Sequence, residues 1–340
     1  MIIDQSSDSL VQPSMFQPAR SGSHPARALS GSLCWILALL LVLPLSACRT
    51  TQPATSPERV DRLEERADSL ARAADSLKRA ARLRNPNLHS TLWQQTAVEY
   101  DGVTRGAYRL ARVMVGRALD DSTWTASLEQ SERGADTYRS LPPAVVLDVD
   151  ETVLDNSAYQ ARLVRQNESY AAESWKAWCR EAQAEAVPGA LAFTQAMAER
   201  GVQVIYLTNR DGDVEAATRE NLRALGFPIE ENRVEDAVLT QGEREGWEPK
   251  TTRRAWVADR FRVLLLIGDN FGDFAGEVET SIGDRKRRAG AYEKFWGTRW
   301  IALPNAQYGS WEGALFEYDY GLSPLDVLRQ KHRSLDAARN

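Results

Sequence analysis

Cysteine is scarce in this chain, with 3 among 340 residues, and Cys34 sits inside its most apolar run. Neither a disulfide framework nor a four-cysteine zinc site can be built from so few. Histidine is equally rare: His24, His89 and His332 form no triad with any motif serine, which disfavours a histidine nucleophile. Excess positive charge is missing too, because 42 Lys and Arg stand against 47 Asp and Glu for a formal net charge of -5. A nucleic-acid polymer therefore meets no general electrostatic footprint. The apolar run at 33–45 falls short of the roughly 20 residues that span a bilayer. What remains is a globular composition, 43% hydrophobic and 26% charged, long enough for one large domain with additions.

The uncharged run LCWILALLLVLPL follows Arg20, His24 and Arg27 and leads directly into Ser46-Ala47-Cys48. That layout predicts a signal peptide over 1–47, with Met15 as an alternative start. Leu45-Ser46-Ala47-Cys48 resembles the bacterial lipobox, which implies cleavage before Cys48 and acylation of its thiol. Several acyl chains, each buried CH₂ contributing about 0.8 kcal/mol, would hold the protein on a membrane. The residue after the cysteine is Arg49 and not the aspartate of inner-membrane retention, so the expected destination is the outer membrane.

Beyond a Thr- and Pro-rich loop, Val60, Leu63, Ala67, Leu70, Ala74, Leu77 and Ala81 alternate three and four apart. This heptad seam fits either a coiled coil, and so a homo-oligomer, or a single solvated helix acting as a spacer over 48–86. A second helical pattern covers 89–119. After Leu141-Pro142-Pro143 the periodicity changes. Short β-branched runs at 144–147, 202–207 and 263–267 alternate with helical patterns at 190–200 and 214–225, each stopped by a glycine. Strand and helix in alternation predict an α/β fold, a Rossmann-like parallel sheet with helices on both faces and with its chemistry at the carboxyl ends of the strands.

The first strand ends in Asp148-Val149-Asp150-Glu151-Thr152. Asp148 can extend straight from the strand while Asp150 reaches around the same ligand from the turn, so one can attack while the other handles a proton. The second strand ends in Leu207-Thr208-Asn209-Arg210, whose hydroxyl and backbone N–H groups suit phosphate oxygens. A later one ends in Gly268-Asp269-Asn270-Phe271-Gly272-Asp273. These carboxylates would repel Asp148 and Asp150 unless a hard, oxygen-ligated cation, most simply Mg²⁺, lay among them. Lys250, opening a predicted helix, can supply a positive charge beside nucleophile and phosphate.

In this order and at these places the four elements resemble the motifs of the haloacid dehalogenase (HAD) superfamily. Further stretches narrow the likeness to the class C acid phosphatases, the bacterial lipoprotein acid phosphatases and 5′-nucleotidases. These are LWQQTAVEY at 92–100, DVDETVLDN at 148–156, VPGA at 187–190, YLTNR at 206–210, IGDN at 267–270 and LPNAQYGSWEG at 303–313.

The resemblance implies a phosphatase domain over 87–330 with a small cap around 156–187 and a tail at 331–340. It makes Asp148 the nucleophile of an aspartyl-phosphate and Asp150 the acid and then the base. Mg²⁺ would be held by Asp148, the backbone carbonyl of Asp150 and Asp269, with Asp273 supporting it or ordering bound water, and phosphate by Thr208, Asn209 and Lys250. Pumps of the superfamily carry threonine where Asp150 stands, so the carboxylate favours turnover of small phosphomonoesters. In the family an aromatic pair sandwiches a nucleoside base; the matching residues are Tyr170 and Tyr308, with lid packing the alternative for Tyr170. Trp175, Trp178, Trp296, Trp300 and Trp311 read as packing, and Cys179 as inert. The competing readings are a binding lipoprotein without turnover and phosphoryl transfer to another alcohol.

Overall fold

The short apolar runs at 144–147 and 263–267 become strands because every one of their residues is buried in a core. The computed structural model describes residues 57–82, 85–229 and 236–337; the predicted signal peptide and Cys48 lie outside them. The chain divides into two compact units, 1–65 and 66–340.

Helix α1 (Pro57–Arg82) is followed by α2 (Leu88–Thr96), α3 (Val98–Asp120) and α4 (Leu128–Arg133). Strand β1 (Pro143–Leu147) leads to β2 (Leu154–Asp155), helices α5 (Ser157–Gln166) and α6 (Ala172–Glu181), and β3 (Glu185–Ala186). Then come α7 (Ala190–Glu199), β4 (Gln203–Asp211), α8 (Glu215–Leu225), β5 (Val238–Gln241), α9 (Lys250–Ala258) and β6 (Arg262–Gly268). The chain continues through α10 (Ile282–Ala291), β7 (Trp300–Ala302), α11 (Ser310–Gly313) and α12 (Pro324–Arg333).

Five strands make one parallel sheet in the order β5-β4-β1-β6-β7. Alternate residues feed opposite cores: Val145, Leu147, Val204 and Tyr206 face one, and Ala144, Val146, Ile205 and Leu207 the other. The chain runs outward from β1 through β4 to β5, then crosses back to β6 on the other side. The carboxyl end of β1, flanked by β4 and β6, is thus the topological switch point where such sheets bind ligands.

Three features depart from the sequence pattern. The helical pattern at 89–119 is two helices, because Ala97 adopts an extended backbone (ψ 122°) that ends α2 and starts α3. Strand β4 continues to Asp211 with alternating burial, so Thr208 and Arg210 point inward while Asn209 and Asp211 point out. The two-residue strands β2 and β3 pair antiparallel and close the neck of the two-helix insert α5–α6.

The tryptophans divide. Trp300 is fully buried, its ring 4.8 Å from Phe295 and 4.9 Å from Tyr292 and its indole N–H donating to the Ala126 carbonyl at 2.9 Å. Trp311, by contrast, is 41% exposed. On α1 the seam residues Val60, Leu63, Leu70 and Leu77 are exposed. Among the described residues no helix is long and apolar enough to cross a membrane.

Candidate active site

Asp148 is the first residue past β1. Its backbone N–H donates to the Ile267 carbonyl at 2.9 Å, pinning it against β6. The carboxylate is buried. Lys250, the first residue of α9, donates from Nζ to Asp148 Oδ1 and, at 2.7 Å, to Asp273 Oδ1. The Thr152 hydroxyl lies 3.4 Å from both Asp148 Oδ2 and Asp269 Oδ1. Burial pushes the Asp148 carboxyl up to about 7; Lys250 opposes the rise, and Asp273 and Asp150 add to it. Burial also pulls on the Lys250 ammonium, but Asp148 and Asp273 outweigh it and hold the amine above its ordinary range.

Beyond β1 the chain turns sharply, with Glu151 in the left-handed region at φ 56°. Its side chain is fully buried, and Oε1 accepts the Asn156 backbone N–H at 2.8 Å. Burial, then Asp150, Asp269 and Asp155, raise this carboxyl well above the usual range. The turn presents Asp150 toward β4, where its Oδ1 meets Arg210 Nε at 2.9 Å and Asn156 Nδ2 at 2.9 Å. The Thr208 hydroxyl is 3.4 Å from Asp150 Oδ2.

The third wall comes from the end of β6. A Cβ at Gly268 would lie 2.2 Å from Asp273 Oδ2, so glycine is what allows the Asp273 carboxylate to lie over the strand end. The same oxygen accepts the Asn270 backbone N–H at 2.8 Å. Asp269 Oδ2 accepts from Asn305 Nδ2 at 2.8 Å. Burial, followed by repulsion from Asp273 and Asp148, raises the Asp269 carboxyl well above its usual range.

Asp148, Asp269 and Asp273 each present a carboxylate oxygen within 4.8 Å of the others. With all three ionised, as a bound cation would favour, the carboxylates and the Lys250 ammonium leave an excess of two negative charges, which suits a hard divalent cation bound through oxygen.

Six of the expected residues therefore converge: Asp148, Asp150, Thr208, Lys250, Asp269 and Asp273. Asn209 does not join them, since strand alternation turns its side chain away, where its Oδ1 accepts from Arg253 at 2.9 Å. Tyr170 is 63% exposed just before α6. Tyr308 is half-buried in the loop before α11, its carbonyl accepting the Trp311 indole N–H at 3.1 Å. Cys179 is buried and free, its thiol pushed up to about 12 by burial, which suits an inert side chain. Thr152, Asn156, Arg210 and Asn305 belong to the site but received no role from the sequence. All four stand inside the quoted motif stretches, so position was available as a signal.

Comparison with known proteins places the chain in a family. The family described as HAD superfamily, subfamily IIIB (Acid phosphatase), matches residues 81–311. The class C acid phosphatase of Bacillus anthracis is 31% identical with a TM-score of 0.65, over 76% of this chain and 100% of that one. A structure of the same enzyme with tungstate bound gives 30% identity and a TM-score of 0.64 over the same shares. Acid phosphatase 1 of Solanum lycopersicum is 24% identical over 166 residues, 48% of this chain and 62% of that protein. The Stem 28 kDa glycoprotein of Glycine max is 24% identical over 132 residues, 38% of this chain and 52% of that protein. The chain thus spans between half and two thirds of these plant relatives. With the family match covering more than half of the chain, and with a like fold from a relative matched over its whole length, this protein belongs to the acid phosphatases of HAD subfamily IIIB.

Proposed function

We propose that this protein is a Mg²⁺-dependent acid phosphatase that hydrolyses phosphomonoesters, nucleoside 5′-monophosphates foremost, through an aspartyl-phosphate on Asp148. The observation that carries the reading is the buried Lys250 ammonium held between Asp148 and Asp273 at the switch point, with a second carboxylate two residues on. A binding-only protein would have no need of that pair.

In the first step an Asp148 oxygen forms a bond to phosphorus as the ester P–O bond breaks. The bonding pair leaves with the alcohol oxygen, which takes the proton of the Asp150 carboxyl. In the second step water attacks phosphorus and gives a proton to the Asp150 carboxylate. The acyl-phosphate bond breaks, Asp148 recovers its charge and phosphate departs. Lys250 and Thr208 neutralise and bind phosphoryl oxygens, and Lys250 also keeps Asp148 ionised for attack. Asp148, Asp269 and Asp273 would hold the metal together with the Asp150 carbonyl; when bound, it offsets the negative charge of carboxylates and phosphate.

The insert α5–α6 is small for a cap, which leaves the site open to many monoesters. Tyr170 and Tyr308 are the aromatic faces available to a nucleoside base. An acylated Cys48 would anchor the domain to the outer membrane, with α1 as its spacer.

Asp148→Asn is expected to lower kcat by at least about three orders of magnitude, because an amide cannot form the acyl-phosphate; a variant with near-wild-type turnover would refute the mechanism. EDTA should abolish hydrolysis and Mg²⁺ restore it, whereas Asp269→Ala should need far more metal or never recover. An enzyme indifferent to chelation would remove Asp269 from the ligand set. In membrane fractionation, Cys48→Ser should release active protein into the soluble fraction; unchanged membrane association would argue against the lipid.

A further inference from the structure

The guanidinium of Arg210 is one of the most thoroughly buried charges in the molecule, 1% exposed, yet it neither reaches the carboxylate cluster nor carries a phosphate-binding role. It is aimed at Asp150. Nε at 2.9 Å and the NH2 nitrogen at 2.8 Å both meet the same oxygen, Oδ1. Asn156 Nδ2 donates to that oxygen as well, at 2.9 Å. The NH2 contact is an ion pair, its hydrogen bond going to Asn156 Oδ1 at 3.3 Å. Two hydrogen-bond donors, Arg210 Nε and Asn156 Nδ2, thus take up the two lone pairs of Oδ1 and leave it no room for a proton. Among the described residues Oδ2 meets the Thr208 hydroxyl at 3.4 Å. The network therefore decides which oxygen of Asp150 is free to exchange protons.

The two donors are themselves held from the insert. Asn156 Oδ1 accepts the Trp178 indole N–H at 2.8 Å, and the Trp175 ring packs over the Arg210 guanidinium at 5.5 Å. Both tryptophans belong to α6. From the same helix Lys176 pairs with Asp211 at 2.8 Å and with Asp213 at 3.2 Å, and Arg180 pairs with Asp213 at 2.9 Å. Arg210 is steadied from the sheet side by Thr218, whose hydroxyl its NH1 nitrogen meets at 3.1 Å.

We propose that Arg210 and Asn156 are positioning residues that immobilise Oδ1 of Asp150 and reserve Oδ2 for the leaving group, and that helix α6 of the insert locks them in place. The proposal rests on the reading of Asp150 as the acid. The insert then serves proton delivery as well as covering the site. When the ester bond breaks, the electron pair stays on the leaving oxygen and the proton moves to it from Oδ2, while Oδ1 remains fixed by its two hydrogen bonds and the Arg210 ion pair. Hydrolysis of the acyl-phosphate needs Asp150 whatever the substrate, but in the step that forms it, misplacing Oδ2 harms chiefly those esters whose leaving oxygen needs the proton.

That dependence supplies the test. In the full-length protein, kcat/KM reports the step that forms the acyl-phosphate, and it is compared for p-nitrophenyl phosphate and for a nucleoside 5′-monophosphate. The first departs as a stable phenolate; the second departs as a poor alkoxide. Asp150→Asn is the reference. If it does not penalise the nucleotide more than the aryl ester, the acid assignment itself fails.

Given that penalty, Arg210→Lys and Trp178→Phe should each lower kcat/KM for the nucleotide about tenfold or more beyond any loss on the aryl ester. A structural role alone would lower both substrates equally, and equal losses overturn the proposal. Should Arg210→Lys fail to fold, Trp178→Phe, which keeps an aromatic ring and removes only the N–H donor to Asn156, decides the question.

Discussion

Carboxylates crowd the carboxyl end of β1, and a single buried ammonium is set against them. Two like charges at about 4 Å repel by roughly 4 kcal/mol at an effective dielectric of 20, so the cluster of Asp148, Asp269 and Asp273 cannot persist on hydrogen bonds alone. Lys250 answers part of that repulsion by pairing with Asp148 and Asp273. The remaining charge makes the site receptive to a divalent cation. Burial acts in the same direction: it raises the carboxyls of Asp148 and Asp269, and so favours whatever positive charge brings them back into the ionised form.

The fold supplies this crowding at low conformational cost. Parallel strands β4, β1 and β6 end side by side, so residues far apart in sequence meet without long loops. Gly268 lets Asp273 lie against the strand end, and the left-handed turn at Glu151 redirects the chain so that Asp148 and Asp150 reach different partners. One carboxylate joins Lys250 and the other joins Arg210. Two acids in one short motif are thereby placed in different electrostatic surroundings, which is what separate nucleophile and proton-donor roles require.

Much of this was legible in the sequence, for a physical reason: chemistry at strand ends leaves short, ordered motifs beside apolar runs. Asp148, Asp150 and Asp269 stand out because charged residues directly after buried strands have few structural purposes, and Lys250 and Asp273 join them through the order of the motifs. Strands β5 and β7 and the β2–β3 pair were not anticipated, since elements of two to four residues carry no periodicity. Asn209 belongs with Thr208 in the site only if the strand ends at Leu207; its continuation to Asp211 applies the two-residue alternation and turns the Asn209 side chain away. The same alternation brings Arg210 inward. Its partnership with Asp150 depends on a contact across 60 residues, which no local pattern reveals.

The central claim is that Asp148 carries the phosphoryl group, and trapping the intermediate tests it most directly. An Asp150→Asn enzyme lacks the base for the second step, so p-nitrophenyl phosphate, whose leaving group departs without a proton, should load the nucleophile and leave it loaded. Quenching and reduction with borohydride convert an acyl-phosphate into an alcohol at the phosphorylated aspartate. The account predicts that peptide mass spectrometry finds homoserine at position 148. Reduction at Asp269 or another residue, or no covalent phosphoryl group under conditions where the aryl ester is still cleaved, would contradict it.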